Sequence, residues 1–367
     1  MGNMRYRKLP HGEETISEIG LGMGSIHEGS EEEIEKTLRF AIENGVNYFD
    51  MAASEAKPYP CYARVFAGQR EKVYLQMHFG AVYDNGTYGW TRDPEKIRNT
   101  FEHQLKMLRT DYTDMGFVHC IDEMDDYDEV MSNGIWDYMK SLKKDGVIRH
   151  LGLSSHDPAV IRRFLETGLI DMVMFSINPA YDYSTGEYAI GSTSDRGMLY
   201  RECEAQGVGI SVMKPFGGGQ LLNAKTSPFK QALTRTQCIQ YALDRPAVLT
   251  VLPGVRGYED LKDILTYLDA SEEERDYSAI SRFTPQNADG ICVYCNHCQP
   301  CPMGINVGMV NKYYDLALAG DAMAKGHYEK LTVQADACVQ CGHCESRCPF
   351  HVKQEDRMKE IAAYFQK

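Results

Sequence analysis

No apolar run in these 367 residues approaches the roughly 20 needed to cross a bilayer. The opening stretch MGNMRYRKLP has no apolar segment of the kind a secretory leader carries, so export is not expected. It begins Met-Gly, but Tyr6 stands where an N-myristoylation signal needs Ser or Thr. Basic residues are in deficit, with 39 Lys and Arg against 52 Asp and Glu and a net charge of −13. That balance argues against nucleic acid or an anionic membrane surface as a partner. Outside one region cysteine is scarce. Cys61, Cys120, Cys203 and Cys238 lie far apart and read as reduced thiols, with a cytoplasmic location expected.

The remaining eight cysteines crowd into residues 292–348. CVYCNHCQPCP supplies Cys292, Cys295, Cys298 and Cys301, and CVQCGHCESRCP supplies Cys338, Cys341, Cys344 and Cys348. Each motif has three closely spaced thiols, then a fourth followed by Pro. That spacing suits two [4Fe–4S] clusters in which the fourth cysteine of each motif ligates the other cluster. One set is then Cys292, Cys295, Cys298 and Cys348; the other is Cys338, Cys341, Cys344 and Cys301. A zinc site built from two CxxC pairs leaves a cysteine over in each motif. A c-type haem needs C-x-x-C-H, whereas Asn296 follows Cys295 and Gly342 follows Cys341. Clusters of this type are oxygen-labile, which makes an anaerobic host the expectation.

Upstream, short apolar runs alternate with amphipathic helical stretches. EIGLGMG, VNYFDMA, KVYLQMHF, DMGFVHC, IRHLGLSS, DMVMFSI, VGISVMKP and AVLTVLPG read as strands, each followed by a helix. Ser30 with Glu33 predicts a capping box at the first helix. The continuous apolar strands fit a parallel sheet buried on both faces. Eight β-then-α units over about 270 residues predict a (β/α)8 barrel, a doubly wound sheet being the alternative. Residues 1–285 are assigned to the barrel and 286–367 to a mainly helical, ferredoxin-like cluster domain, with a linker near 285–290. Asp50, His78, His119, Ser154, Ser155, Asn178 and Lys214 fall at the C-terminal ends of strands, the rim where barrel active sites lie.

VNYFDMAAS, REKVYLQMHFG, TDMGFVHC, IRHLGLSSH, SVMKPFGGG and TVLPGVRGYEDL resemble, in order, the conserved blocks of aldo/keto reductases. With the cysteine motifs, the chain resembles the iron–sulfur branch of that superfamily. The resemblance implies a tetrad in which Tyr donates a proton, Lys and Asp tune it, and His orients a carbonyl. Asp50 and His119 match, but Glu55 stands at the Tyr position and His78 at the Lys position. Of the nicotinamide site, Ser154 and Ser155 match the carboxamide contacts, whereas Met213 replaces the stacking aromatic. Arg256 is the cation near the family's 2′-phosphate region, and Gly217 to Gly219, among them Gly218, with Gly254 suit either a phosphate or tight turns.

Asp50, Glu55, His78 and His119 are therefore expected to converge as acids and bases, or to hold a divalent metal. Tyr59, His156 and Tyr181 are further proton-donor candidates. Cys120 follows His119, and strand alternation places it behind the barrel. The expected function is an iron–sulfur oxidoreductase relaying electrons to an organic substrate or bound cofactor. Ferredoxin is the natural external carrier, and NADPH or flavin a less supported one. The alternative is a lyase, isomerase or hydrolase using the Asp/Glu/His/His pocket, with structural or sensing clusters.

Overall fold

The computed structural model of the chain describes residues 2–51, 58–84, 87–183, 189–277, 279–280, 290, 292, 298–318, 324–348 and 351–366. Its strands are β1 (Tyr6–Lys8), β2 (Thr15–Ser17), β3 (Leu21–Gly22), β4 (Tyr48–Asp50), β5 (Tyr74–Phe79), β6 (Ala81–Asp84), β7 (Thr87–Trp90), β8 (Thr113–Val118), β9 (Ile148–Ser155), β10 (Met172–Ser176), β11 (Gly209–Met213) and β12 (Val248–Val251). Eight of them pair in the order β12-β11-β10-β9-β8-β5-β4-β3, and every pairing in that sheet is parallel. Ile19 bridges Val251 and Gly22 bridges Gly254, which joins the two edges. The sheet is thus a barrel, and the doubly wound alternative is excluded. No helix among the described residues is long and apolar enough to cross a membrane.

The barrel closes because its strands bury both faces. Outward-facing Phe49, Leu75, Phe79, Val118 and Val173 belong to the large core beneath the helices. Tyr48, Met115, Phe117, Met172, Met174 and Leu249 fill the interior, where Leu9 and Ile16 of the N-terminal hairpin plug the lower end.

Local sequence explains the helix boundaries. The helix Pro94–Leu108 starts where the Asp93 carboxylate accepts from the Glu95 and Lys96 backbone N–H groups, with Pro94 at its first position. It ends at Arg109, which takes a left-handed conformation with φ 55°. Its buried residues Ile97, Phe101, Leu105 and Leu108 recur at helical spacing. Phe101 packs against Phe79 with ring centroids 4.4 Å apart, and truncating it to Ala should cost about 3–5 kcal/mol. At the helix Glu31–Glu43 only half of the expected capping box forms. Ser30 accepts from Glu33 N, while the Glu33 carboxylate accepts from Tyr258 N at 2.8 Å and so ties the first helix to the one that follows β12.

One feature was not anticipated. An antiparallel hairpin, β6–β7, is inserted between β5 and its helix. Gly80 makes the turn into it with φ 108°, and a Cβ there would come within 2.9 Å of the Thr91 carbonyl. The C-terminal helices Val307–Leu318, Ala324–Glu329 and Gln354–Phe365 then pack on one another. The expected linker at 285–290 lies outside the described residues except for Gly290.

Candidate active site

β4, β5, β11 and the residue after β8 deliver a chain of buried polar groups to the C-terminal mouth of the barrel. Tyr48 and Ser211 hydroxyls both donate to Gln76 Oε1, at 2.7 and 3.0 Å. This fixes the amide, so Gln76 Nε2 faces Asp50 Oδ1 at 3.1 Å and His78 Nε2 at 2.8 Å. His78 Nδ1 lies 2.9 Å from His119 Nδ1, and His119 Nε2 lies 2.5 Å from the Tyr88 hydroxyl. With the amide donating to His78 Nε2, the proton of His78 sits on Nδ1 and is donated to His119 Nδ1. His119 in turn carries its proton on Nε2 and donates it to Tyr88 Oη. The Tyr88 hydroxyl hydrogen is then left to point elsewhere, and Tyr88 lines the cavity at the mouth. Asp50 Oδ1 also lies 3.1 Å from His78 Nε2, so a second proton on His78 would meet a carboxylate. Burial, reinforced by His78, holds His119 well below the usual imidazole range. Burial lifts the Tyr88 phenol well above its ordinary value, so it keeps its proton.

Tyr88 was missed in the sequence because it rides on the unforeseen hairpin. A signal was available, since DNG between AVY and TYGW is a strong hairpin-turn cue. Tyr59 and Tyr181, in contrast, are buried off the cavity wall.

The cavity has a volume of about 390 Å³. Asp50, Tyr88, His119, Cys120, Ser154 and His156 line it from one side of the barrel. Met213, Lys214, Phe216, Gly218, Gly219 and Arg235 line it from the β11 loop and the helix that follows, and Gly254 and Arg256 from the β12 loop. Arg235 is a second guanidinium that the sequence reading had not singled out. Asn178 donates to the Lys214 carbonyl at 2.9 Å, which holds that residue at φ 55°. Gly217, Gly218 and Gly219 all have positive φ, so the glycines are needed for the turn, and two of them also face the cavity.

Several expectations need correction. Cys120 is not behind the barrel. Its φ is 52°, so the strand has ended and alternation no longer applies, and the thiol faces the cavity beside Asp122 at 3.4 Å. Ser155 is fully buried and off the cavity wall, and its hydroxyl contacts the Asp122 carboxylate at 3.3 Å and accepts from Asp157 N at 3.0 Å. His156, a proton-donor candidate, is held by Asp122, which its ring Nδ1 and its backbone N–H meet at 2.9 and 2.6 Å. Asp50, His78 and His119 do come together, as a hydrogen-bonded chain organised by Gln76. Glu55 lies outside the described residues.

The C-terminal segment completes the cavity. His327, on the helix Ala324–Glu329, lines it and is 5% exposed. Its ring stacks on Tyr313, with centroids 5.5 Å apart, and meets Tyr88 and Trp90 of the hairpin at 6.0 and 5.2 Å. Gly326 lets the helix approach, since a Cβ there would come 3.3 Å from the Tyr88 carbonyl. Lys330 Nζ lies 3.1 Å over the Trp90 ring, and burial lowers its pKa to about 8.

Cys301, Cys338, Cys341 and Cys344 surround one small apolar pocket with Ile305, Val307 and Met358. Gln340 N donates to Cys338 Sγ at 3.4 Å, the kind of N–H contact that tunes a cluster thiolate. Of the other set, Cys298 is buried, Cys292 and Cys348 are partly exposed, and Cys295 lies outside the described residues. Arg347 donates to the Gln299 carbonyl at 2.6 Å and ties the two motifs together.

Comparison with known proteins agrees with this architecture. The aldo/keto reductase family matches residues 18–237, and the 4Fe-4S dicluster domain matches residues 290–352. The uncharacterized oxidoreductase YqkF of Bacillus subtilis is 27% identical over 308 residues, which cover 77% of this chain and 98% of that protein. An aldo-keto reductase from Bacillus halodurans in its holo form superposes with a TM-score of 0.62 at 22% identity, over 77% of this chain and 97% of the other. One from Klebsiella pneumoniae, in complex with NADPH, gives 0.54 at 18% identity, over 77% and 95%. These relatives are barrel-length, and the cysteine-rich segment is additional. The reductase match spans more than half of the chain, and the protein is an oxidoreductase of the aldo/keto reductase family that carries a 4Fe-4S dicluster domain.

Proposed function

We propose that the protein reduces or oxidises a small organic molecule in the barrel cavity, with electrons relayed through two [4Fe–4S] clusters and the proton handled by Tyr88. The observation that carries this reading is His327. A residue of the cluster-bearing segment lines the same cavity as His119 and Tyr88, so the two parts share one site. When bound, the clusters supply one-electron transfer between an external carrier and the cavity. The ligand sets are Cys301, Cys338, Cys341 and Cys344 for one, and Cys292, Cys295, Cys298 and Cys348 for the other.

The protein's own residues handle binding and protons. Tyr88 gives its hydroxyl proton to the substrate oxygen as negative charge develops there. His119 Nε2–H, already donating to Tyr88 Oη, stabilises the phenolate that forms. His78 and Asp50 lie behind His119 and can return a proton along the chain of ring nitrogens. His327 and the hairpin aromatics cover the mouth and exclude water, which strengthens each of these interactions. Arg235, Arg256 and the backbone of Gly218 and Gly219 line the opposite side, which suits an anionic group on the substrate or on an organic cofactor. Family members of this fold are served by a nicotinamide, but here Met213 borders the cavity where an aromatic is expected.

The reading is tested by donor dependence. Anaerobic protein is assayed on a panel of carbonyl substrates with either a reduced viologen dye or NADPH as donor. Viologen-driven turnover that is lost in Cys338→Ser is expected. NADPH-driven turnover that persists in that variant contradicts the electron route. Product formed with no donor at all supports the lyase or isomerase reading instead.

A further inference from the structure

Beyond the relay, a second constellation of ligand-bearing side chains lies on the cavity wall. Cys120, Asp122 and His156 each offer one ligand atom, and these atoms lie within 4.8 Å of one another, the only such trio of His, Cys, Asp or Glu among the described residues. We propose that Cys120, Asp122 and His156 form a mononuclear divalent-metal site, suited to zinc or ferrous iron, with its remaining coordination position open to the cavity. The proposal stands apart from the electron route and holds whichever donor drives the enzyme.

The distances fit one ion. Bonds of about 2.0–2.1 Å to N and O and 2.3 Å to S, at tetrahedral angles, put neighbouring ligand atoms about 3.3–3.6 Å apart. Asp122 Oδ2 lies 3.4 Å from Cys120 Sγ and 2.9 Å from His156 Nδ1. The Cys120–Asp122 pair already has that spacing, and an ion would take the place of the shorter Asp122–His156 hydrogen bond. The donor set of one thiolate, one carboxylate and one imidazole is borderline-soft, which favours zinc or iron over magnesium or calcium. Its two negative charges neutralise a divalent ion, as burial requires. Three protein ligands leave the fourth position free, the arrangement of metal sites that act on a substrate. Cys120 and His156 both border the cavity, so an oxygen of a bound carbonyl, carboxylate or hydroxyl compound can reach that position.

The backbone is built to present this thiol. Cys120 is a non-glycine residue at φ 52°, a left-handed conformation that L side chains adopt rarely. Ser154 Oγ accepts from its N–H at 2.8 Å, and Arg92 Nη2 donates to its carbonyl at 2.7 Å. Ile121, fully buried, donates to the Ser154 carbonyl at 3.0 Å and pins the next residue. The simpler reading is a loop latch in which Asp122 only holds His156 and Ser155. That latch uses the carboxylate and the imidazole but gives no reason for a cysteine clamped in a left-handed turn toward the cavity.

The test uses cobalt as a spectroscopic probe. Anaerobic protein with both clusters assembled is treated with a mild chelator until its iron content is constant and then titrated with Co²⁺. One equivalent is expected to bind and to give a thiolate-to-cobalt charge-transfer band. Cys120→Ser should abolish the band with iron content unchanged, and His156→Gln should weaken cobalt binding by roughly tenfold or more. The proposal is overturned if wild-type protein takes up no cobalt beyond its clusters. It is equally overturned if the band survives in both variants, or disappears in Cys338→Ser instead.

Discussion

The Tyr88 hydroxyl lies 2.5 Å from Nε2 of His119, and the two residues reach that contact from different parts of the fold. His119 is the residue after the end of β8, whereas Tyr88 hangs over the mouth on a hairpin inserted after β5. The hairpin thus brings a phenol onto a histidine that stands at the end of a barrel strand.

Replacing Tyr88 by Phe keeps the ring contacts with Tyr83, Trp90 and His327 and removes only the hydroxyl. Loss of a positioned proton donor should lower kcat by about 10²–10⁴-fold and leave KM within about twofold. Steady-state kinetics on the variant check this, and an equal fall carried by KM would indicate a role in binding instead.

His327 makes docking of the C-terminal segment pH-dependent. Burial, then the nearby Lys214 and His156, hold its pKa well below 6.5 when docked. Of the other charged neighbours, Lys330 also opposes protonation and Asp122 favours it. Undocked and solvated, the ring would titrate near 6.5. As pH falls through 6.5 the undocked form gains a proton that the docked form refuses, so docking is full above that value and weakens below it. Hydrogen exchange in residues 324–330 and 87–90 should speed up between pH 7 and 5.5. His327→Phe should flatten that dependence.

The proposed crossed ligation has its own readout. Cys301 belongs with Cys338, Cys341 and Cys344 around one pocket, so Cys301→Ser should damage that cluster and leave the other. Iron content should drop from about eight atoms per chain toward about four. EPR of the remaining cluster should match that of Cys338→Ser, and a match to Cys292→Ser would mean that each motif ligates its own cluster.

Asp182 anchors the loop after β10. Its carboxylate accepts from Arg196 Nε at 3.0 Å and from the Tyr200 and Tyr241 hydroxyls at 2.6 and 2.7 Å. Arg196 is fully buried, so Asp182→Ala leaves an uncompensated charge and should cost about 3–5 kcal/mol. Thermal denaturation should show this as a lowered Tm, and an unchanged Tm would contradict it.

Most of the fold was legible in the sequence because the eight strands are short apolar runs punctuated by capped helices. Asp93 before Pro94, and Ser30 before three glutamates, mark boundaries that the structure reproduces. The 4Fe-4S dicluster segment was legible because a cluster demands a fixed cysteine spacing. The pocket was only half legible. Asp50, His78 and His119 sit at strand ends and could be found by position alone. Gln76, one residue earlier in the alternation than the rim, organises the chain through contacts with Tyr48 and Ser211 that no local pattern encodes. Cys120 was misplaced because strand alternation was carried one residue too far, past the turn at φ 52°. His327 had no signal at all, because its meaning arises from the packing of one segment on another more than 200 residues upstream.

The central claim is that electrons from the cysteine-rich segment and a proton from Tyr88 meet in one cavity. Single-turnover mixing tests it most directly. Protein with pre-reduced clusters is mixed with a turned-over carbonyl substrate, and cluster absorbance is followed beside product. The clusters are expected to reoxidise at the rate of product formation, and Tyr88→Phe to slow both by the same factor. Product that forms while the clusters stay reduced would contradict it.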